Sequence, residues 1–258
     1  DLRNVSVVDA FVDLVEDHAQ RRFVGDVVGG GNVFGPGLRL EGGASYLIDP
    51  SVALQDNMWP VNFGIRSAGI LPGSVLPSAG NQFNEIPDTD DTSPLDERVV
   101  WADAGIPYVV SRSDVSHGQI TILPGVTVKM QAGQGLFFDT DSHGVAQPIF
   151  LGDPGRPVRF IPYDPGVQWS GIGIGDTRWL GTRWDWIEVE HARFGVGSVS
   201  LPIAIDNSIF RNNLRALGGA CAMTIRKCLF ENNVYAYSGE QFAPVHEING
   251  FLDANHPA

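Results

Sequence analysis

Residues 204–213 read Ala-Ile-Asp-Asn-Ser-Ile-Phe-Arg-Asn-Asn, and residues 224–233 read Thr-Ile-Arg-Lys-Cys-Leu-Phe-Glu-Asn-Asn. Ile205 returns as Ile225, Phe210 as Phe230, and Asn212-Asn213 as Asn232-Asn233, a period of 20 residues. The register continues through Ala216 and Ala236, then Gly219 and Gly239. A period this short cannot hold two packed helices and their turns. It suits one coil of a solenoid, in which each coil buries its apolar side only by stacking on the next.

Upstream the pattern loosens. Val189–Phe194 lies over Ile205–Phe210 when offset by 16 residues. Trp169–Ile174, Val158–Ile161 and Ile120–Met130 are further β-rich runs, the last alternating around a Pro124-Gly125 corner. Variable spacing is expected, because insertions in solenoids fall in the turns.

These segments resemble right-handed parallel β-helix proteins of bacterial secreted and cell-surface type, in the pectate-lyase-like class. The residues that carry the resemblance are Trp101 with Gly105–Val110, Gly118–Lys129, Gln147–Phe150, Trp169–Ile172 and the two Asn-Asn segments. They span residues 101–240. The resemblance implies an all-β, single-stranded parallel β-helix with coils of about 20 residues, and an extracellular or cell-surface location. Its motifs are architectural and imply little about activity.

Three regions are expected. Residues 1–85 read as the end of a first β-helix unit, irregular or capping. Within them, Gly37–Asn57 looks like a coil, with Ile48, Ser51 and Asn57 in repeat-like roles. Val5–Phe11 fits a strand, but Val8, Phe11, Val12, Val15 and Ala19 have helical spacing, and both readings stay open. Residues 86–98 are acidic and punctuated by proline, which reads as a linker or long loop. Residues 99–258 form the second unit. The start at Asp1 and the abrupt end at Asn255–Ala258 suggest a segment of a longer polypeptide.

Composition narrows the partners. Lysine occurs only at Lys129 and Lys227, and the net charge is −13. That field repels phosphate backbones and anionic membrane surfaces. No run of about 18 apolar residues is present to span a bilayer. With 31 glycines and 17 prolines, the chain favours turns over helices. Cys221 and Cys228 are too few for a disulfide framework; whether they pair is left open.

The repeat assigns structural roles. Side chains alternate along a strand, so Ser208, Phe210 and Asn212 are expected on one face, as are Cys228, Phe230 and Asn232. Stacking then sets Phe210 over Phe230 and Ser208 over Cys228, with Asn213 and Asn233 at equivalent corners. Asparagine there can satisfy backbone groups that a turn orphans.

The strongest chemical candidate is Arg183-Trp-Asp-Trp-Ile-Glu-Val-Glu-His191. With Ile187 and Val189 facing in, Trp184, Trp186, Glu188 and Glu190 would share the outer face. Glu188 and Glu190 would then lie about 6.6 Å apart by strand rise, near the ~6.5–9.5 Å separation of inverting glycosidases. Trp179, Trp184 and Trp186 could stack on sugar rings. The competing account is an ordinary sheet with charged residues facing solvent. Asp88, Asp90 and Asp91 could offer oxygen ligands to calcium, although no EF-hand glycine is in place. Asp139–Gly144 imitates half such a loop but has Phe150 at its twelfth position. Arg211 and Arg215 stand near Asp206, yet no neighbouring strand supplies the acidic cluster that β-helix polysaccharide lyases need.

The expected function is therefore a structural or adhesive surface segment without catalysis and without an obligatory cofactor. Its partners would be glycans or neighbouring copies of itself, not nucleic acid. The alternative is a carbohydrate-binding or polysaccharide-degrading protein using the tryptophan-rich coil at 169–190.

Overall fold

A computed structural model describes residues 6–8, 22–23, 28–30, 36–40, 44–48, 53–54, 56–64, 68–76, 80–89, 98–111, 115–116, 119–139, 147–175, 182–198, 202–219, 223–239, 245–249 and 252–253. Every element among them is a strand, and every strand pairing is parallel. Three long sheets result. Sheet I has ten strands, from Arg22–Phe23 to Val245–Asn249; sheet II has ten, from Pro36–Leu40 to Leu252–Asp253; sheet III has six, from Val115–Ser116 to Tyr235–Gly239. A smaller sheet joins Ser6–Val8, Val28–Gly30 and Ala53–Leu54. From Arg98 on the chain visits sheets I, II and III in turn, and before that sheets I and II with the small sheet between them, so this is an all-β parallel β-helix.

The coils near residue 200 show how the sequence makes the corners. Each is Thr182–Asp185, Ile187–Glu190 and Ala192–Ser198, then Ile203–Asp206, Ile209–Arg211 and Arg215–Gly219, and so on. One left-handed residue separates sheet I from sheet II: Trp186, Asn207 or Lys227. Another separates II from III: His191, Asn212 or Asn232. Their φ values lie between 51° and 56°. Asparagine tolerates this region; tryptophan, histidine and lysine enter it at a cost. Upstream coils use a different corner. Pro72-Gly73, Pro124-Gly125, Pro154-Gly155 and Pro165-Gly166 each occupy the centre of a four-residue turn, with the glycine at φ between 78° and 88°. Proline presets the first central residue and glycine accepts the positive φ of the second.

Several expectations change. The coil before the repeat is not offset by 16 residues: Trp184 lies beside Ile205 and Val189 beside Phe210. Phe194, which resembles Phe210 in sequence, stands past the His191 corner in sheet III beside Arg215. Asn212 does not share the face of Phe210. It is the left-handed corner, and Asn213 is the asparagine turned inward, 1% exposed. The expected linker begins inside a strand, because Ile86–Thr89 pairs with Trp59–Gly64 on one side and Tyr108–Val110 on the other. Sheet II thus runs through residue 86. Ser6–Val8 is a strand; the rest of the segment with helical spacing lies outside the described residues.

The core is a column of aromatic and branched side chains inside the coils. Trp101 stacks on Tyr108 at 5.2 Å, with Phe63 edge-on to both. Phe150 links Phe138, Phe160 and Trp184. Phe210 and Phe230 lie in register and stack at 5.3 Å with an 11° interplanar angle. At Gly171, φ is +126° and an added Cβ would sit 1.7 Å from the Phe194 carbonyl oxygen, so only glycine fits where the strand bulges.

Candidate functional site

The corner at Trp186 decides what the tryptophan-rich coil can do. A left-handed residue interrupts the alternation of an extended strand. Trp184 therefore does not face outward with Glu188 and Glu190. It is fully buried, packs on Phe150 at 4.6 Å and donates its indole N–H to the Pro148 carbonyl at 3.1 Å. Trp169 is also buried, its indole N–H held by the Glu190 carbonyl at 2.7 Å. Trp184 thus belongs to the core and offers no surface to a sugar. Trp186 is half-buried at the corner, and Trp179 lies outside the described residues.

Glu188 and Glu190 do project from sheet II, on either side of the buried Val189. Two arginines on the flanking strands occupy the space around them. Arg159, in register with Glu188, donates Nε–H to it at 2.8 Å and places another nitrogen 3.9 Å from Glu190. Arg211, in register with Glu190, lies 3.6 Å from it, 3.9 Å from Glu188 and 3.8 Å from Glu231. The carboxylates are bracketed by cations on both sides. Arg211 takes no part with Asp206, whose partner is Arg226 on the adjacent strand, through contacts of 2.6 and 2.9 Å.

The remaining polar candidates are engaged in the fold. Asp88 accepts the backbone N–H of Ser111 at 3.0 Å and also its hydroxyl. Asp90 and Asp91 lie outside the described residues. Among the described residues, no three His, Cys, Asp or Glu side chains are grouped to hold a metal ion. Asn213 accepts the Ala192 N–H at 2.8 Å and donates to the Val189 carbonyl at 3.0 Å; Asn233 accepts from Asn213 and donates to the Phe210 carbonyl at 2.9 Å. Ser208 accepts the Ile187 N–H at 3.1 Å and donates to the Asp206 carbonyl at 2.6 Å. Cys228 takes the corresponding place one coil later. Its free thiol faces the Ile205 and Arg226 carbonyls at 3.5 and 3.4 Å.

A second polar cluster escaped the sequence reading. Glu85 is nine-tenths buried, accepts the phenolic O–H of Tyr163 at 3.0 Å and lies 3.9 Å from Lys129. Burial and the Glu85 carboxylate push the Tyr163 phenol above its ordinary range. These residues come from three strand regions of sheet II and meet only because the coils stack. Nearby, Trp59 and Phe83 stack at 5.8 Å, and Phe83 is 41% exposed. No family model, curated protein or solved structure matches the chain.

Proposed function

We propose that this chain is a non-catalytic segment of an extracellular or cell-surface β-solenoid in the pectate-lyase-like class, serving as a rigid spacer or adhesive surface. The observation that carries the reading is the arginine bracket on Glu188 and Glu190. A general acid and a general base must each reach substrate or water and exchange a proton. Here Glu188 accepts a hydrogen bond from Arg159 at 2.8 Å, and Glu190 lies 3.6 Å from Arg211 and 3.9 Å from Arg159, in the strand register that pairs the coils. Such cross-strand pairs are what an exposed sheet uses for stability and solubility. The test is a glycan array followed by a reducing-sugar assay on the wild-type chain. The scaffold reading expects no turnover of any polysaccharide. Turnover that disappears in Glu188→Gln/Glu190→Gln, with folding intact, overturns it.

The stacked Trp59 and Phe83 favour one second reading, a carbohydrate-binding module. Phe83 stacks on Trp59 with 26° between the planes and is 41% exposed, a ring face that a sugar could use. It relocates the expected binding surface away from residues 169–190. Glycan binding that is lost in Trp59→Ala and kept in Trp186→Ala would establish it.

A further inference from the structure

Where sheet II turns into sheet III, arginines stand against rings instead of against carboxylates. Arg156, Arg159, Arg211 and Arg226 each face an Asp or Glu. Among the described residues, Arg193 and Arg215 have no carboxylate within ion-pair distance. Arg215 lies between two rings. Its guanidinium sits 5.1 Å from the Phe194 ring and 6.0 Å from that of Tyr235, and the three residues are neighbours in register on successive strands. Arg193, exposed, approaches the same Phe194 ring at 5.7 Å. The Arg215 Nε–H is buried and makes no hydrogen bond. The chain therefore holds this cation in place without supplying it an anion.

Beside the two cations the edge is apolar. Arg193, Leu214 and Val234 each precede one member of the Phe194, Arg215 and Tyr235 row, so they follow one another in successive coils at ~4.8 Å steps. Leu214 is half-buried, whereas Val234 and Tyr235 are 55% and 51% exposed. Arginine and tyrosine are the residue types that dominate binding surfaces, and aliphatic side chains next to them add area that water leaves. Charge selects the partner. In a chain of net charge −13, two arginines without carboxylates are complementary to an acidic ligand. The ring faces nearest Arg215 are spent on its guanidinium and are not offered to a sugar. Leu214 and Val234 instead suit the aliphatic side chains of a polypeptide.

We propose that this edge binds an extended acidic segment of a partner polypeptide. Its carboxylates meet Arg193 and Arg215, and its apolar side chains lie on Leu214, Val234 and Tyr235. Side chains on one face of an extended segment recur every second residue, about 6.6 Å apart, so acidic and apolar residues alternating at that interval present both chemistries to the edge. The flanking rings keep the Arg215 guanidinium extended, and little conformational freedom is lost when a carboxylate arrives. The proposal deepens the adhesive reading by giving the chemistry of the partner, and rests on it for its purpose. The two fail separately: absence of peptide binding leaves the rigid spacer standing, and polysaccharide turnover removes the scaffold reading without touching peptide binding.

Fluorescence anisotropy of a labelled peptide of three Glu-Ser-Leu-Ser repeats, titrated with the full chain at low and high salt, reads the site. The expected result is saturable binding that weakens as salt rises. Replacing every glutamate of the peptide by glutamine, or every leucine by serine, weakens it about tenfold. Arg193→Gln and Arg215→Gln each weaken it about fivefold or more. Arg215→Lys keeps the charge but not the planar fork, and does not restore wild-type affinity. Arg156→Gln removes an arginine already paired with Asp103 and leaves binding unchanged. Circular dichroism checks that each variant folds, and Arg193, exposed, is replaced without disturbing the core. A wild type that does not bind the peptide overturns the proposal, as does binding that ignores Arg193→Gln or falls equally for Arg156→Gln. A polyuronate that displaces the peptide at a lower concentration of carboxylate also overturns it, by making the partner an acidic glycan.

Discussion

The side-chain oxygen of Asn81 accepts the backbone N–H of Asn57 at 3.0 Å, while its amide nitrogen donates to the Leu54 carbonyl at 2.8 Å. Asn233 treats Asn213 the same way, accepting its N–H at 2.9 Å and donating to the carbonyl of Phe210, three residues before Asn213, as Leu54 is before Asn57. Each inward asparagine follows a left-handed residue: Asp56, Gly80, Asn212 or Asn232. One corner device therefore recurs at two levels of the stack, spaced by 24 residues in one case and 20 in the other.

This device makes Asn213 costly to remove. Asn213→Ala orphans the Ala192 N–H and the Val189 carbonyl, both without access to water at a buried corner. The expected loss is about 2–4 kcal/mol, from one or two unsatisfied buried groups. Asn81→Ala should cost less, because Asn81 is half-buried and water can reach the groups it leaves. Urea denaturation of both variants gives the ranking; a larger loss for Asn81 would reverse the account of the corner.

The aromatic stack makes a separate prediction. Phe230 is 1% exposed and in register with Phe210. Phe230→Ala should cost about 3–5 kcal/mol, as for a large ring removed from a packed interior. A double-mutant cycle with Phe210→Ala should show a coupling of about 0.5–1.5 kcal/mol beyond the separate losses. Strict additivity would mean that the two rings are stabilised by their surroundings and not by each other.

The two ends of the Asn ladder also explain what was legible in the sequence. Coils at 204–233 use single-residue corners of similar chemistry, so the period shows in the letters. Asn57 and Asn81 have the same roles, but Asp56 and Gly80 stand where asparagines stand later, and the spacing differs. A search for identical letters at a fixed interval does not see them. Trp184 is buried rather than outward because Trp186, with its positive φ, resets the alternation of the strand; nothing in a tryptophan signals that conformation. Arg159 and Glu188 are 29 residues apart, across three corners whose lengths the sequence leaves free, so their pairing is not legible in it. Core positions follow local period, whereas surface partners depend on the summed lengths of the turns between them.

The left-handed corners offer a gain in stability. Lys227 holds φ at 54° with its side chain in solvent. Lys227→Gly removes the steric strain of an L side chain in that region, against the added freedom of glycine in the unfolded chain. The expected net gain is roughly 0.5–1 kcal/mol, read as a rise in the denaturation midpoint. Gly171→Ala is the opposite case. Its Cβ would meet backbone and not a flexible side chain, and the variant should fail to fold or lose several kcal/mol. If both substitutions acted in the same direction, the backbone geometry at Lys227 and at the Gly171 bulge would be wrong.

Cys228 supplies a test by pH. It occupies the place that Ser208 holds one coil earlier, buried against the Ile205 and Arg226 carbonyls. Burial pushes its thiol up to about 11 from an ordinary 9.0, since a thiolate there would lose its water. Below pH 9 the thiol is protonated in both folded and unfolded chains and contributes no pH dependence. As pH rises from about 9 to about 11, the unfolded chain releases its proton first, and the folded state loses stability. The loss attributable to this group is at most about 3 kcal/mol, two pH units of linkage. Cys228→Ser keeps a small donor at the same carbonyls and has nothing to ionise in that range. Denaturation midpoints measured from pH 8 to pH 11 should therefore fall more steeply for the wild type than for Cys228→Ser. In a Cys221→Ser background, rapid labelling of the remaining thiol by an aromatic disulfide reagent at pH 8, or identical pH profiles with and without Cys228→Ser, would show that Cys228 faces solvent and not the ladder.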